Sequence, residues 1–117
     1  LRAARALIGD NKLIGVSCYN ELERALAAEQ DGADYIAFGS FFPSRTKPGA
    51  VHATPELLRA ARTQLRIPVV AIGGITPENG ATLIEAGADM LAAIDGVFNQ
   101  TDIRAAAQRY TKLFPKI

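Results

Sequence analysis

The sequence predicts an α/β fold in which a first helix is followed by four strand–helix units, and three observations lead to this prediction. Short runs of apolar, branched residues alternate with longer segments of helical periodicity along the chain. The apolar runs lack alternating polar residues, as is typical of buried parallel strands. Thr54-Pro55-Glu56 and Thr76-Pro77-Glu78 repeat the same helix-start pattern. We therefore expect a single domain over residues 1–117, with a parallel sheet covered by helices on both faces.

The first part of the chain predicts the end of a helix, two strands and the helix between them. Leu1–Ile8 has the spacing of a helix end. Lys12–Ser17 (KLIGVS) is short and rich in branched residues, which favours a buried strand. Asn20 is expected to cap a helix over Glu21–Gln30, because asparagine is a favoured helix cap. Tyr35–Gly39 (YIAFG) has the composition of the next strand.

A polar loop that runs to Ala53 separates these elements from three further helices and two strands. Thr54 and Thr76 are each expected to cap a helix, because a hydroxyl is followed by proline and glutamate at both places. Tyr110 falls on the inner side of the last helix. The predicted elements are a helix from Thr54 through Leu65, a strand Val69–Ile72, a helix from Thr76 closed by Gly87, a strand Met90–Ile94 and a helix Asp102–Leu113.

Charge and composition exclude some classes of partner. The formal net charge is +1 and the basic residues are spread along the chain, so neither nucleic acid nor an anionic membrane surface is an expected partner. No apolar run approaches the ~20 residues of a membrane span. The single Cys18 leaves no intrachain disulfide and fits a reducing cytoplasm. Because the chain begins at Leu1 rather than Met, we expect an excerpt of a longer protein.

A short internal repeat indicates a relationship between the first and third strand–helix units. Glu29–Asp34 (EQDGAD) and Glu85–Asp89 (EAGAD) both end a helix and lead into a strand. Repetition every two units is typical of (βα)₈ barrels, although an open sheet would also fit. Four units cannot close an eight-stranded barrel. We therefore expect either that the other half of a barrel is missing from this chain or that two copies of the chain assemble. An unpaired edge strand at Lys12–Ser17 would favour dimerisation.

The predicted ligand is a phosphorylated small molecule, held where the parallel strands end. Gly73-Gly74 follows a strand and precedes a helix start, so an anion could approach bare backbone N–H groups there. The alternative is a tight turn that only allows close packing. The loop Ser40–Ala50 contains Thr46 and Lys47, a hydroxyl donor and a mobile charge suited to a diphosphate, between two prolines that stiffen it. The alternative for this loop is a solvated basic surface.

The other reactive side chains give weaker indications of a functional site. Ser17 and Cys18 lie at a strand end, but no base lies near Cys18 in the sequence, so a buried, inert thiol is expected. His52 has no Cys or His neighbours at ligand spacing, so no metal site is expected in this chain. Asp95 follows the fourth strand, where its carboxylate would repel a phosphate unless it caps the next turn or takes a proton.

At these residues the chain resembles thiamine phosphate synthase, a family of (βα)₈ barrels. The resemblance covers nearly all of the 117 residues and corresponds to the second half of the barrel. Its most specific part is the Pro-Ser-Arg-Thr-Lys-Pro segment at 43–48, followed at the family's spacing by Val-Ala-Ile-Gly-Gly-Ile-Thr-Pro-Glu-Asn at 70–79. The family joins an aminopyrimidine methyl diphosphate to a thiazole phosphate, releases pyrophosphate and uses Mg²⁺.

The resemblance implies roles for individual residues. Ser17 would contact the pyrimidine substrate, and Lys47 would bind its diphosphate and act as the catalytic residue. The thiazole phosphate would be held by Gly74, in the Gly73-Gly74 turn, and by the backbone of Ile94 and Asp95. Asp95 departs from the serine that the family usually has. The remaining implied contacts to the thiazole substrate come from Ser44, Arg45 and Thr46.

The resemblance also implies that parts of the site lie elsewhere. The family's Mg²⁺ ligands and its Gln-x-Arg-x-Lys strand belong to the first half of the barrel, and no segment here matches them. We therefore expect a transferase half that is inactive alone and that forms a homodimer or contacts a missing N-terminal half. Two alternatives stay open: a non-catalytic binding module for a phosphorylated heterocycle, and a structural half-barrel that self-associates. The Pro43–Pro48 loop argues against another phosphate-handling barrel enzyme.

Overall fold

A computed structural model describes residues 1–42 and 52–115, and it has the predicted α/β architecture. The alternation of strands and helices follows the predicted order, with one additional short helix, α5, after the fourth strand. The elements are α1 (Arg2–Ile8), β1 (Gly15–Tyr19), α2 (Leu22–Gln30), β2 (Tyr35–Phe38), α3 (Pro55–Gln64), β3 (Val69–Ile72), α4 (Gly80–Ala86), β4 (Met90–Ala92), α5 (Asp95–Phe98) and α6 (Ile103–Thr111).

The four strands form one parallel sheet in the order β1-β2-β3-β4. In its register Val16 lies beside Ile36, and Ile36 lies beside Val69. Every strand is followed by its neighbour in the sheet, and right-handed crossovers between such neighbours place their helices on the same side. Within the described residues, β1 and β4 are therefore the two edge strands of a sheet with one helical layer.

The two faces of the sheet differ in burial, which corrects the prediction that both are covered. The helix-covered face is fully buried at Ile36, Phe38 and Ala71, where it packs against Leu58 and Leu83 of the helices. Alternate residues of a strand point to the opposite face. That second face is exposed or half-buried at Ser17, Ala37, Val70, Ile72 and Ala92, and we call these five residues the open face. Because the strands follow one another in sequence order, the crossovers leave this face without a helix.

Several predicted boundaries were wrong, and two strands end earlier than predicted, β2 at Phe38 and β4 at Ala92. The first strand begins at Gly15 rather than Lys12, because side chains rather than a neighbouring strand bind the backbone just before it. The second helix begins at Leu22 with Glu21 in the cap position, so Asn20 does not cap it. The last helix runs from Ile103 to Thr111 rather than from Asp102 to Leu113, and Asp102 is its cap: the Asp102 carboxylate accepts a hydrogen bond from the Ala105 N–H at 3.0 Å.

The Gly-Ala-Asp repeat has a structural role at the amino ends of the strands. Asp34 accepts a hydrogen bond from the Ile14 N–H at 2.7 Å, and its own N–H donates to the Ile14 carbonyl at 2.9 Å. Asp89 makes the same two contacts with Val69, both at 2.9 Å. Each aspartate therefore fixes the start of the preceding strand. The internal repeat in the sequence therefore corresponds to the same pair of hydrogen bonds, made two strand–helix units apart.

Arg5 joins the first helix to this end of the sheet. Its guanidinium donates to the Asp34 carboxylate at 2.7 Å, to the Gly32 carbonyl at 2.9 Å and to the Lys12 carbonyl at 2.8 Å. The hydrogen bond from Arg5 lowers the pKa of Asp34, and the hydrogen bond from the Ile14 N–H lowers it further. The ionised carboxylate is thus the form that the folded chain favours.

Replacing Asp34 with asparagine is expected to lower the free energy of unfolding at neutral pH. The folded-state pKa lies below the usual 3.8, so the stabilisation is present above that pH and is lost as the pH falls through the folded-state pKa. Urea unfolding at pH 7 and at about pH 3 should therefore show a difference from the unsubstituted chain that shrinks on acidification. Asp31→Asn is the control, because it breaks only the exposed pair with Arg2 and should change little at either pH. An Asp34→Asn effect that is constant with pH would contradict the expectation.

Candidate functional site

The structure brings three of the predicted segments to the carboxyl edge of the sheet. Ser17 lies near the end of β1 on the open face, with its side chain exposed. Gly73-Gly74 directly follows β3, Ile94 is the cap residue of α5, and Asp95 is the first residue of that helix. Because the strands are parallel and adjacent, their carboxyl ends share one edge. The arrangement agrees with the usual position of ligand sites in such sheets.

The loop after β2 is anchored to the loop after β3. The Phe41 N–H donates to the Ile72 carbonyl at 3.3 Å, and the Phe42 N–H donates to the Gly73 carbonyl at 3.1 Å. The Ala53 N–H donates to the Ser40 carbonyl at 2.8 Å and so closes the base of the loop. The described residues that flank positions 43–51 are therefore held together near Gly73. The predicted contacts of Ser44, Arg45, Thr46 and Lys47 lie outside the described residues.

Gly73 is required by both conformation and space, and Gly74 by its conformation. Their φ angles are 103° and 66°, in the region that residues with a Cβ adopt only at a cost. A Cβ on Gly73 would overlap the Ser40 hydroxyl and lie 2.7 Å from the Ser40 Cα. The Gly-Gly pair thus lets the backbone after β3 turn sharply while it packs against the loop after β2. A tight turn and an anion site were the two interpretations of this pair. The positive φ angles and the close packing on Ser40 are those of a tight turn, and the anion site stays a prediction.

The Asn79 side chain organises this turn, although no role was predicted for it from the sequence. Its side-chain Oδ1 accepts a hydrogen bond from the Thr76 N–H at 2.8 Å, and its Nδ2 donates to the Gly74 carbonyl at 3.0 Å. An amide side chain can donate and accept at the same time, which makes Asn the suitable residue here. The signal available in the sequence was an Asn three residues after Thr76 and directly before a glycine.

The contacts of Asn79 also correct the predicted start of α4. The helix begins at Gly80, and Thr76 is not its cap. The Thr76 carbonyl accepts from the Gly80 N–H at 2.9 Å, so the Thr76-Pro77-Glu78 segment forms a turn that precedes the helix. With the Gly74 carbonyl bound to Asn79, the trans peptide directs the Ile75 N–H the opposite way. Within residues 1–42 and 52–115, no group accepts a hydrogen bond from the Gly74 or Ile75 N–H.

The segment after β4 offers further backbone donors. The Ile94 carbonyl accepts from the N–H groups of Val97 at 3.1 Å and Phe98 at 2.8 Å, which forms the single turn of α5. No described residue accepts a hydrogen bond from the N–H of Asp95 or Gly96. Asp95 is exposed and lies in the first turn of α5, where a carboxylate is favoured by the backbone dipoles. This location explains how an acidic residue is accommodated at the end of β4.

Cys18 follows Ser17 in β1, but its side chain lies on the opposite face of the sheet from the candidate site. Its side chain is fully buried on the helix-covered face, and burial raises the pKa of the thiol. Its neighbour Ser17 faces the other way, onto the open face. A buried protonated thiol is a poor nucleophile, so the structure supports the inert role that the sequence analysis expected.

Across residues 1–42 and 52–115, no three His, Cys, Asp or Glu side chains come together as metal ligands. None of the helices described combines the length and the apolar composition that crossing a membrane requires.

Comparison with known proteins assigns this arrangement to a family. Residues 1–97 match a family model described as thiamine monophosphate synthase. A thiamine-phosphate synthase from Nitrosococcus oceani is 56% identical over 115 residues, which are 98% of this chain and 53% of the relative. The corresponding protein of an Azoarcus species is 57% identical over 112 residues, with 96% and 54% of the two chains covered. The chain thus spans about half the length of the curated relatives it matches.

Solved structures agree with the sequence matches. A thiamine phosphate pyrophosphorylase from Pyrococcus furiosus superposes with a TM-score of 0.83 at 38% identity, over 96% of this chain and 52% of that one. A 3-hexulose-6-phosphate synthase superposes with a TM-score of 0.70 at 24% identity, over 97% and 55% of the two chains, and shares the fold. The parallel sheet, the resemblance noted in the sequence and these matches lead to one assignment. This chain belongs to the thiamine monophosphate synthase family.

Proposed function

We propose that this chain supplies the thiazole-phosphate-binding half of a thiamine phosphate synthase-type transferase. The enzyme would couple an aminopyrimidine methyl diphosphate with a thiazole phosphate and release pyrophosphate. The observation that carries the proposal is the meeting, at one edge of the sheet, of the Gly73-Gly74 turn, the donors after β4 and the anchored ends of the 43–51 loop. Buried Cys18 in its thiol form is compatible with a cytoplasmic location for this reaction.

The thiazole phosphate would bind to backbone N–H groups. Donors at Gly74, Ile75, Asp95 and Gly96 have no acceptor among the described residues, so they are available to phosphate oxygens. Backbone donors at glycine turns form anion-binding concavities. Such contacts do not depend on the side chain at Asp95. The replacement of the family's usual serine by Asp95 would therefore remove one hydroxyl donor and retain the backbone contact, with Ile94 holding the turn.

The other substrate would lie over the open face and the 43–51 loop. Ser17 presents its hydroxyl on that face, where it would contact the aminopyrimidine. Lys47 would neutralise the diphosphate as the carbon–oxygen bond breaks and pyrophosphate leaves with the bonding electrons. Electrostatic stabilisation of this kind requires no protein nucleophile. Ser44, Arg45 and Thr46 would complete the contacts to the thiazole substrate.

The open face requires a covering partner before this chemistry can take place. Parallel sheets are ordinarily buried on both faces, whereas Ile72 on the open face is 40% exposed. We propose that a second half-barrel, from the remaining part of the protein or from a second copy of this chain, covers the face and pairs with the edge strands. The Mg²⁺ ligands are proposed to belong to the half that this chain does not contain, and the chain alone is expected to be inactive.

Pyrophosphate release tests the proposal. The assay would combine both substrates and Mg²⁺ with this chain, alone and together with the first half of the Nitrosococcus oceani relative. We expect release only from the combined halves, and we expect Lys47→Ala to reduce its rate by about 10²–10³-fold through loss of charge stabilisation. Lys12→Ala is the control, because Lys12 precedes β1 at the opposite end of the sheet. Equal rates for Lys47→Ala and the unsubstituted chain would contradict the assigned role.

A non-catalytic binding module is the second candidate function. It is favoured by the backbone donors after β3 and β4 that have no acceptor among residues 1–42 and 52–115, because binding through them requires no reacting side chain. Affinity for the thiazole phosphate without turnover, even in the combined halves, would support it. Self-association without any phosphate affinity would instead support the structural half-barrel.

A further inference from the structure

Tyr110 of α6 connects the last helix to the loop after β3. Its hydroxyl donates to the Ile75 carbonyl at 2.9 Å, across 35 positions of sequence. Tyr110 is 8% exposed. Burial raises the pKa of its hydroxyl, so the group remains protonated and able to donate at neutral pH. The hydrogen bond is therefore shielded from water, and the Tyr110 hydroxyl does not lose its proton near neutral pH.

Gly96 of α5 meets the same two groups. A Cβ at Gly96 would overlap the Tyr110 hydroxyl and would lie 2.8 Å from the Ile75 carbonyl oxygen. The backbone of α5 thus packs directly on the hydrogen bond between Tyr110 and Ile75. We call these three residues the tyrosine junction. It joins the segment after β3, the segment after β4 and the last helix at one point.

The tyrosine junction acts on the turn after β3, at the peptide unit that directly follows the proposed Ile75 N–H donor. Asn79 holds the carbonyl of Gly74, and Tyr110 holds the carbonyl of the next residue, Ile75. Two successive peptide planes are therefore fixed by side chains from α6 and from the residue before α4. Since each peptide is planar, the bound Gly74 carbonyl fixes the direction of the Ile75 N–H, a proposed donor. The bound Ile75 carbonyl fixes the Thr76 N–H, which donates to Asn79 Oδ1 and so holds the other side of the turn.

We infer that Tyr110 is a positioning residue that sets the orientation of the turn after β3 and its distance from the turn after β4. The inference rests on the proposed function, because these two turns would hold the same phosphate. Tyr110 would not touch the ligand. Its hydroxyl would act through the Ile75 carbonyl, and its van der Waals contact with Gly96 would carry the same constraint to the second turn.

Tyr110→Phe tests the inference, since it keeps the ring and removes only the donor. The probe is inorganic phosphate, titrated into the full chain while the backbone amide signals of Gly74 and Gly96 are followed by NMR. We expect the dissociation constant for phosphate to rise about fivefold to tenfold, which is the change that the loss of one net hydrogen bond produces. Tyr35→Phe is the matched control, because Tyr35 begins β2 at the opposite end of the sheet and should leave the constant unchanged.

The free protein gives a second measurement that separates this inference from the proposed function. Without phosphate, Tyr110→Phe should shift the amide signals of both Gly74 and Gly96 and speed their hydrogen exchange, whereas Tyr35→Phe should not. Phosphate binding that is equal in the unsubstituted chain and Tyr110→Phe would overturn the inference and leave the proposed function standing. If the unsubstituted chain binds no phosphate, the proposed site fails. The inference is then upheld by coupled amide changes at both glycines and overturned by their absence.

Discussion

Replacing Gly73 with alanine is expected to lower the free energy of unfolding by about 2–5 kcal/mol and to weaken phosphate binding. Two effects combine at this position. The φ of 103° is unfavourable for a residue with a Cβ, and the added methyl group would overlap Ser40 in the loop after β2. Relieving that overlap requires the two loops to separate. Because both loops contribute to the proposed site, stability and affinity should fall together.

Gly32→Ala provides the matched control for Gly73→Ala. Gly32 has a similar φ of 97°, but no atom lies within 4 Å of the position its Cβ would take. Its substitution therefore measures the backbone cost alone, about 1–2 kcal/mol. Urea unfolding of both variants gives the comparison. Equal losses of stability would show that the contact between Gly73 and Ser40 contributes nothing, and would contradict the proposed coupling of the two loops.

Replacing Ile36 with alanine is expected to cost about 2–5 kcal/mol of unfolding free energy, the range for buried large-to-small substitutions. Ile36 is 0% exposed in the helix-covered face, where a deletion leaves a cavity. Ile72→Ala removes the same atoms from the open face, where the side chain is 40% exposed. We expect it to cost about 1–1.5 kcal/mol in this chain alone, because a side chain that is already partly exposed loses less buried apolar area when it is deleted.

The Ile72 substitution also tests whether another half-barrel covers the open face. When the first half of the Nitrosococcus oceani relative is added, Ile72 should become buried and its substitution should cost substantially more. The Ile36 substitution should cost the same in both states, because its surroundings do not change. A cost at Ile72 that stays small in the combined halves would mean that the open face remains uncovered.

Local sequence signals predicted the order of the elements because strands, caps and turns act over short distances. The branched run Val69–Ile72 forms β3 with the predicted bounds. Thr54 and Pro55 occupy the predicted positions at the start of α3. The same kind of signal failed at Thr76, because Asn79 binds the Thr76 N–H and the chain makes a turn before α4 begins. Competing side-chain hydrogen bonds of this kind are difficult to weigh from a pattern alone.

The sequence predicted which chain segments lie at the candidate site, but it did not predict the side chains that hold those segments in place. Gly73-Gly74 signals a turn with positive φ, and the family resemblance identified which segments end at the ligand edge. The residues that hold those segments were missed. Tyr110 was correctly placed on the inner side of the last helix, but its contact with Ile75 spans 35 positions of sequence. No local periodicity encodes that contact.

The sequence by itself determined the α/β class, the parallel strands and the family, because hydrophobic periodicity, helix-start residues and motifs are properties of neighbouring positions. Only the tertiary structure decided that one face of the sheet is open, that Asn79 and Tyr110 hold consecutive carbonyls, and that the loop after β2 is anchored beside Gly73. These features depend on where the crossovers place distant segments. They arise from packing and hydrogen bonds between residues that the chain brings together only when it folds.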